Sequence, residues 1–234
     1  MNYNKEYSKN EMIKRICEGA KKYKENLLNK NIMFIFELKQ SKKLEYIETI
    51  FNEWNFLHFT GIIYSKNANK FFKDCLNNEI KLNSIIIKRG PFIQLKLEIL
   101  ENAMSIDKSA KRIGDFNQSK VNIQIEKVIG NTHYCLGFSN LNSNNKKLKY
   151  YYPKTLLQDN LKNNIVDDNK IIAILSKNKN QKLYNKITYL SKNTSLEILK
   201  ENNIVDNLID YQNLYSENLK YQEKIDEYFS TYVE

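Results

Sequence analysis

His58, one of two histidines in the chain, sits in the stretch "NFLHFTGI" (55–62), between Leu57 and Phe59 and just ahead of Thr60-Gly61. Imidazole is the side chain that most readily moves protons near neutral pH. Trp54 and Phe56 lie just upstream, so the backbone here is expected to be anchored in the core. That anchoring suits a firmly held catalytic ring and equally suits a polar residue caught at the edge of an apolar cluster. A second candidate element is "YYPKTLL" (151–157). Tyr151 and Tyr152 end a predicted strand, Pro153 interrupts its pairing, and Lys154-Thr155 follow at once. A lysine beside a hydroxyl can neutralise one phosphate oxygen and donate a hydrogen bond to another. Ser176-Lys177 repeats the pattern at the end of a later predicted strand. If the two strands are antiparallel neighbours, the two pairs begin at opposite ends, and ordinary solvated lysines explain both equally well.

Two further positions carry chemistry. Arg112, in "RIGDF" (112–116), can grip a phosphate bidentately with Asp115 to orient it, or the two form an exposed ion pair at a turn. His133 is placed mid-strand in "THYCLGFS" (132–139), sharing a face with Cys135 and Gly137. The chain has no glycine-rich phosphate loop, no carboxylate cluster spaced for two metals, and no serine-hydrolase elbow or HExxH helix. Nucleotide-driven motors and metalloproteases are disfavoured. With two histidines and three widely spaced cysteines (Cys17, Cys75, Cys135), a zinc site is not expected. What remains is acid–base chemistry by His, Lys, Tyr and hydroxyls, with no metal or cofactor, or no chemistry at all.

The elements that must position these groups follow from periodicity. Ser8 and Glu11 form a capping box ahead of an amphipathic helix over 8–28. Residues 31–39 are a continuous apolar run read as a buried strand, with 44–51 as its hairpin partner. Helices are predicted over 65–80, with Ser65 as a candidate cap, and over 92–106 behind Pro91. From Ile113 the pattern changes to strands at 121–128, 132–139, 148–152, 170–177 and 185–190, joined by short polar turns that imply an antiparallel meander. The tail, Asn207 to Tyr232, reads as an acidic amphipathic helix. The fold class is therefore α+β, with N-terminal helices and a short hairpin on a β-meander and a helix at the end. The expected organisation is an N-terminal helix (1–30), a central α+β domain (31–192) and an acidic helical appendage (193–234).

The net charge of +10 is uneven. Residues from Glu201 onward carry a net −6, leaving +16 on the first 200. A basic body suits a phosphate-rich partner, although a composition rich in Lys, Asn and Ile is also what AT-rich coding produces. No signal-peptide-like N-terminus and no membrane-spanning run occurs, so a reduced, cytoplasmic protein without membrane contact is expected.

The order of motifs "FLHFTGI", "FF" (71–72), "IGDF" (113–116), "CLGF" (135–138), "YYPKTLL" and "ILSK" (174–177) resembles the phage-associated branch of the barnase–EndoU–colicin–RelE-like nucleases over about residues 30–190. The resemblance implies a small α+β fold whose sheet binds RNA, structured RNA or tRNA included. It implies metal-independent cleavage, in which the ribose 2′-OH attacks the adjacent phosphate, in a toxin or effector of phage or mobile-element origin. Such a toxin implies an immunity partner or a separate compartment. Carried onto matching positions, His58 is the acid or base, Lys154 and Lys177 stabilise the phosphate, and Thr155 and Ser176 donate hydrogen bonds. Arg112, His133, Tyr151 and Tyr152 are the candidate substrate contacts. The alternative is a catalytically inactive module binding nucleic acid or protein, as an inhibitor or regulator.

Overall fold

The computed structural model describes residues 6–87, 91–117, 124–142, 144–202 and 206–216. The first helix, α1 (Lys9–Asn26), begins at the Ser8–Glu11 capping box, in which Ser8 Oγ accepts from the Glu11 amide and the Glu11 carboxylate accepts from the Ser8 amide. A cap of this kind is worth about 1 kcal/mol. Met12, Ile16, Ala20 and Tyr23 form its buried face. Tyr23 is the hub of an aromatic cluster with Phe51, Phe56, Phe59 and Phe72, at centroid separations of 5.4–6.1 Å.

Strands β1 (Lys30–Glu37) and β2 (Leu44–Ile50) form the expected antiparallel hairpin. β1 is apolar from Ile32 to Phe36 because both its faces are covered there. Ile32, Phe34 and Phe36 join the core beneath the helices, while Met33 and Ile35 meet Leu196, Leu199, Ile209 and Leu214 on the other side. The stretch around His58 forms a short helix, α2 (Asn55–Thr60), which ends at Gly61 with φ +72°. That left-handed cap is where glycine escapes the Cβ penalty, as the Thr60-Gly61 change of direction requires. A two-stranded ribbon, β3 (Ile63–Tyr64) with β4 (Ile85–Ile86), flanks α3 (Ala68–Leu76). Asn67, rather than Ser65, caps α3, its side chain accepting from the Lys70 amide at 2.8 Å. Helix α4 (Pro91–Ala103) and the single turn α5 (Ile106–Ser109) complete the helical layer.

The remaining strands are β5 (Arg112–Asp115), β6 (Lys127–Gly130), β7 (Cys135–Leu141), β8 (Lys147–Leu157), β9 (Asn169–Asn178) and β10 (Lys186–Leu190), followed by α6 (Leu196–Glu201). β6, β7 and β8 pair antiparallel in succession as expected. β5, a strand the periodicity does not predict, adds to β6, and β9 pairs with β5, β1 and β10 rather than with β8, so the expected meander does not run on past β8. The hairpin is part of the same sheet rather than a separate element. The strand order is β1-β2-β8-β7-β6-β5-β9-β10, and β1 also pairs with β9, so the sheet closes on itself. The β2–β8 junction is a single parallel pair, Thr49 with Tyr151. The class is α+β, with a mostly antiparallel sheet.

Three local expectations are corrected. β8 does not stop at Pro153 but runs on to Leu157. His133 lies in the turn before β7 and not mid-strand. The strand expected at 121–128 is Lys127–Gly130, later than expected, and residues 121–123 of that prediction lie outside the described residues. Of the tail helix, residues 211–216 are helical; the part beyond 216 lies outside the described residues.

A candidate active site at the junction of two helices and a bulged strand

Lys154 owes its position to a β-bulge. Across the β7–β8 pair, Gly137 faces Thr155 and Phe138 faces Pro153, so Lys154 is the extra residue without a partner. Proline has no N–H to give to the ladder, and the bulge takes up that defect while re-aiming the side chain beside it. The carbonyl of Pro153 is used at once: the buried Asn55 donates to it from Nδ2 at 3.1 Å. Asn55 Oδ1 accepts the Asn52 amide at 2.8 Å, so one side chain fixes the start of α2 and ties the helix to the bulge.

With α2 held there, His58 lies one turn after Trp54, and the two rings meet edge-to-face at 6.1 Å. Trp54 in turn meets the ring of Tyr152 at 5.5 Å. Tyr152 is buried and its hydroxyl donates to the Leu141 carbonyl. The ammonium of Lys154 sits 4.9 Å from the Tyr152 ring centre, a cation–π contact that steadies the bulged side chain. From the other side, α4 brings Lys96 to 3.4 Å from Thr155 Oγ1. Gly61 makes room for it: a Cβ there would lie 3.3 Å from Lys96 Cδ.

The electrostatics follow from this convergence. His58 is exposed, yet one side of its ring is packed; that lost hydration lowers its pKa, and the positive charges of Lys154 and then Lys96 lower it further. Neutral imidazole is the form favoured near pH 7. Burial also holds the Lys96 ammonium below the ordinary lysine range. The cluster thus contains a neutral imidazole, two ammonium groups and a hydroxyl.

Of the residues anticipated from sequence, His58, Lys154, Thr155 and Tyr152 come together here. Ser176 and Lys177 do not. Both lie on β9, where Lys177 Nζ donates to the Lys182 carbonyl at 2.8 Å and rests 4.4 Å from the Tyr184 ring. Tyr184 donates to the buried Glu48 at 2.9 Å, so Lys177 belongs to a separate network in the cluster that includes Met33 and Leu175. Arg112 pairs with Asp168 at 3.4 Å, and Asp115 with Lys127 at 2.5 Å. His133 is exposed, its Nδ1 3.1 Å from Thr132 Oγ1. Tyr151 is half-buried at the β2–β8 seam; burial raises its phenol pKa, and the nearby Glu126 and Asp115 add to that. Lys96 was missed, because in a lysine-rich chain a lysine on an amphipathic helix carries no signal. Its partner in the sequence was the glycine four residues after Leu57, and only the fold joins them. Among the described residues no group of three or more His, Cys, Asp or Glu side chains is disposed to hold a metal ion.

A family model described as phage-Barnase-EndoU-ColicinE5/D-RelE like nuclease4 matches residues 15–193. The chain belongs to that family. The match runs from within α1 past β10 and so includes every residue of the junction site. It makes nucleic acid the substrate class on which the site is to be judged. Searches of curated proteins and of solved structures give no match. No described helix is long and apolar enough to cross a membrane.

Proposed function

We propose that the chain is a metal-independent endoribonuclease of toxin or effector type, of phage or mobile-element origin, acting on structured RNA or tRNA. The observation that carries the reading is the convergence of His58, Lys96, Lys154 and Thr155 where α2, α4 and β8 meet. Neutral His58 takes the proton from a ribose 2′-OH, and the 2′-oxygen attacks the adjacent phosphorus. Lys154 and the Thr155 hydroxyl face the non-bridging oxygens as negative charge builds on them. The P–O5′ bond breaks, and Lys96, whose proton is loosened by burial, gives it to the departing O5′. The products are a 2′,3′-cyclic phosphate and a 5′-hydroxyl, and the base and acid are regenerated when the cyclic ester leaves and protons exchange with water. Lys177, bound into its own network, and Ser176, beside it on β9, have no part in this scheme.

The test is cleavage of a tRNA pool and a structured RNA in excess EDTA, with the ends analysed chemically. Cyclic phosphate ends, and a loss of about 100- to 10,000-fold in His58→Ala, are expected. Intact RNA, cleavage abolished by EDTA, or full activity in His58→Ala overturns the reading. Salt-sensitive RNA binding without cleavage would mark a binding module instead.

A further inference from the structure

Two helices meet at the site, and each carries an aromatic ring one turn ahead of its polar group. On α2 Trp54 precedes His58 by four residues, and Trp54 already has helical backbone angles. On α4 Phe92 precedes Lys96 by four. That spacing puts each aromatic on the same helical face as the charged or titratable group that follows it. Phe92 is 76% exposed, more than any other exposed large hydrophobic among the described residues, so it does not serve the core. Trp54 is half-buried: Tyr152 and His58 flank it, and Tyr152 is fixed from behind by its bond to Leu141 and by the Lys154 ammonium. A single exposed ring calls for no explanation. Two rings, each a turn from a polar group of one site, form a pattern of aromatics interleaved with cations.

That pattern fits unpaired nucleic acid. A base inside a duplex has both faces covered by its neighbours, whereas a base in a loop or single strand offers a face to an aromatic side chain. The lysines beside the rings supply the charge for the intervening phosphates. We propose that Trp54 and Phe92 stack against unpaired nucleobases, so that the site takes single-stranded or loop RNA and rejects continuous duplex. This rests on the RNA-cleaving reading above and adds the strandedness of the substrate and two residues that select it.

Trp54 is the only tryptophan in the chain, so fluorescence excited at the red edge of indole absorption, where the 16 tyrosines do not absorb, reports on this ring alone. A short single-stranded 2′-O-methyl oligonucleotide of mixed sequence, which lacks the attacking hydroxyl, should quench it, and a blunt duplex of the same sequence should not. Binding of the same strand carrying a fluorophore should weaken about 5- to 100-fold in Trp54→Ala and in Phe92→Ala. Trp54→Phe, which keeps a ring, should recover most of the loss and guards against a folding defect at the start of α2. Quenching by duplex as strong as by single strand, or unchanged affinity in either alanine variant, overturns the proposal. Strand-selective quenching without RNA cleavage would sink the enzymatic reading and leave this one standing; cleavage without strand selectivity would do the reverse.

Discussion

Asp107 allows a prediction with a magnitude. It lies in α5, is essentially inaccessible to water, and its Oδ1 has no hydrogen-bond partner. Burial raises its pKa from 3.8 to about 6, although Lys108, Lys30 and Lys186 pull the other way. The folded protein therefore holds the Asp107 proton more tightly than the unfolded chain does. Below the unfolded value both states are protonated and the group costs nothing. As pH rises from about 4 to about 6 the ionised form is favoured first in the unfolded state, and stability is lost; above 6 the loss is complete. A shift of this size corresponds to about 3 kcal/mol. Asp107→Asn removes the ionisation while keeping the shape. It should leave stability nearly unchanged at pH 4 and raise it by up to about 3 kcal/mol at pH 7, or roughly 6–12 °C in Tm. Denaturant melts of parent and variant at both pH values give the answer, and the difference between the proteins cancels the other titrating carboxylates. If the variant is no more stable than the parent at pH 7, or its advantage is the same at both pH values, the lysines outweigh burial and the reasoning fails.

Three further outcomes are expected. Lys154→Met removes a charge that lowers the His58 pKa, so the acidic limb of the kcat/KM profile should move to higher pH and activity should fall about 100- to 1,000-fold; an unmoved limb would separate the two residues. Gly61→Ala forces a side chain into φ +72° and against Lys96; thermal denaturation should show a loss of about 1–2 kcal/mol, and cleavage should fall further than stability alone explains. Tyr64→Phe removes the 2.5 Å hydrogen bond to buried Asp74, which keeps Lys70 at 2.6 Å as partner; denaturant melts should show a cost of about 1–3 kcal/mol with cleavage unchanged.

What the sequence revealed depended on how local each signal was. The α1 capping box, the doubly buried β1 and the β1–β2 hairpin are written in adjacent residues, and each forms as expected. Helix α2 went unread because six residues are too few for a 3.6-residue period to stand out. Pro153 was taken for a stop, since a proline inside a strand signals one unless a bulge absorbs it, and a bulge depends on the partner strand. For the same reason only the family resemblance joins His58 with Lys154 in the sequence, and Lys96 carries no signal there: tertiary contacts decide both. Ser176-Lys177 shows the reverse error, in which a local resemblance to Lys154-Thr155 suggested a common site that the strand order does not provide.

The closing of the sheet has a bearing on how the protein is made. β1 pairs along its length with β9, Lys30 with Asn178 and Glu37 with Lys170, so the first strand waits for a partner more than 130 residues later. Contacts that far apart are slow to form, because the loop must close before any of it is rewarded. On a ribosome β1, β2 and the helices emerge well before β9, and the ring cannot shut until β9 is out. His58, Lys96 and Lys154 all precede β9 in the chain, so the side chains of the junction site are synthesised before the closed sheet around them can exist.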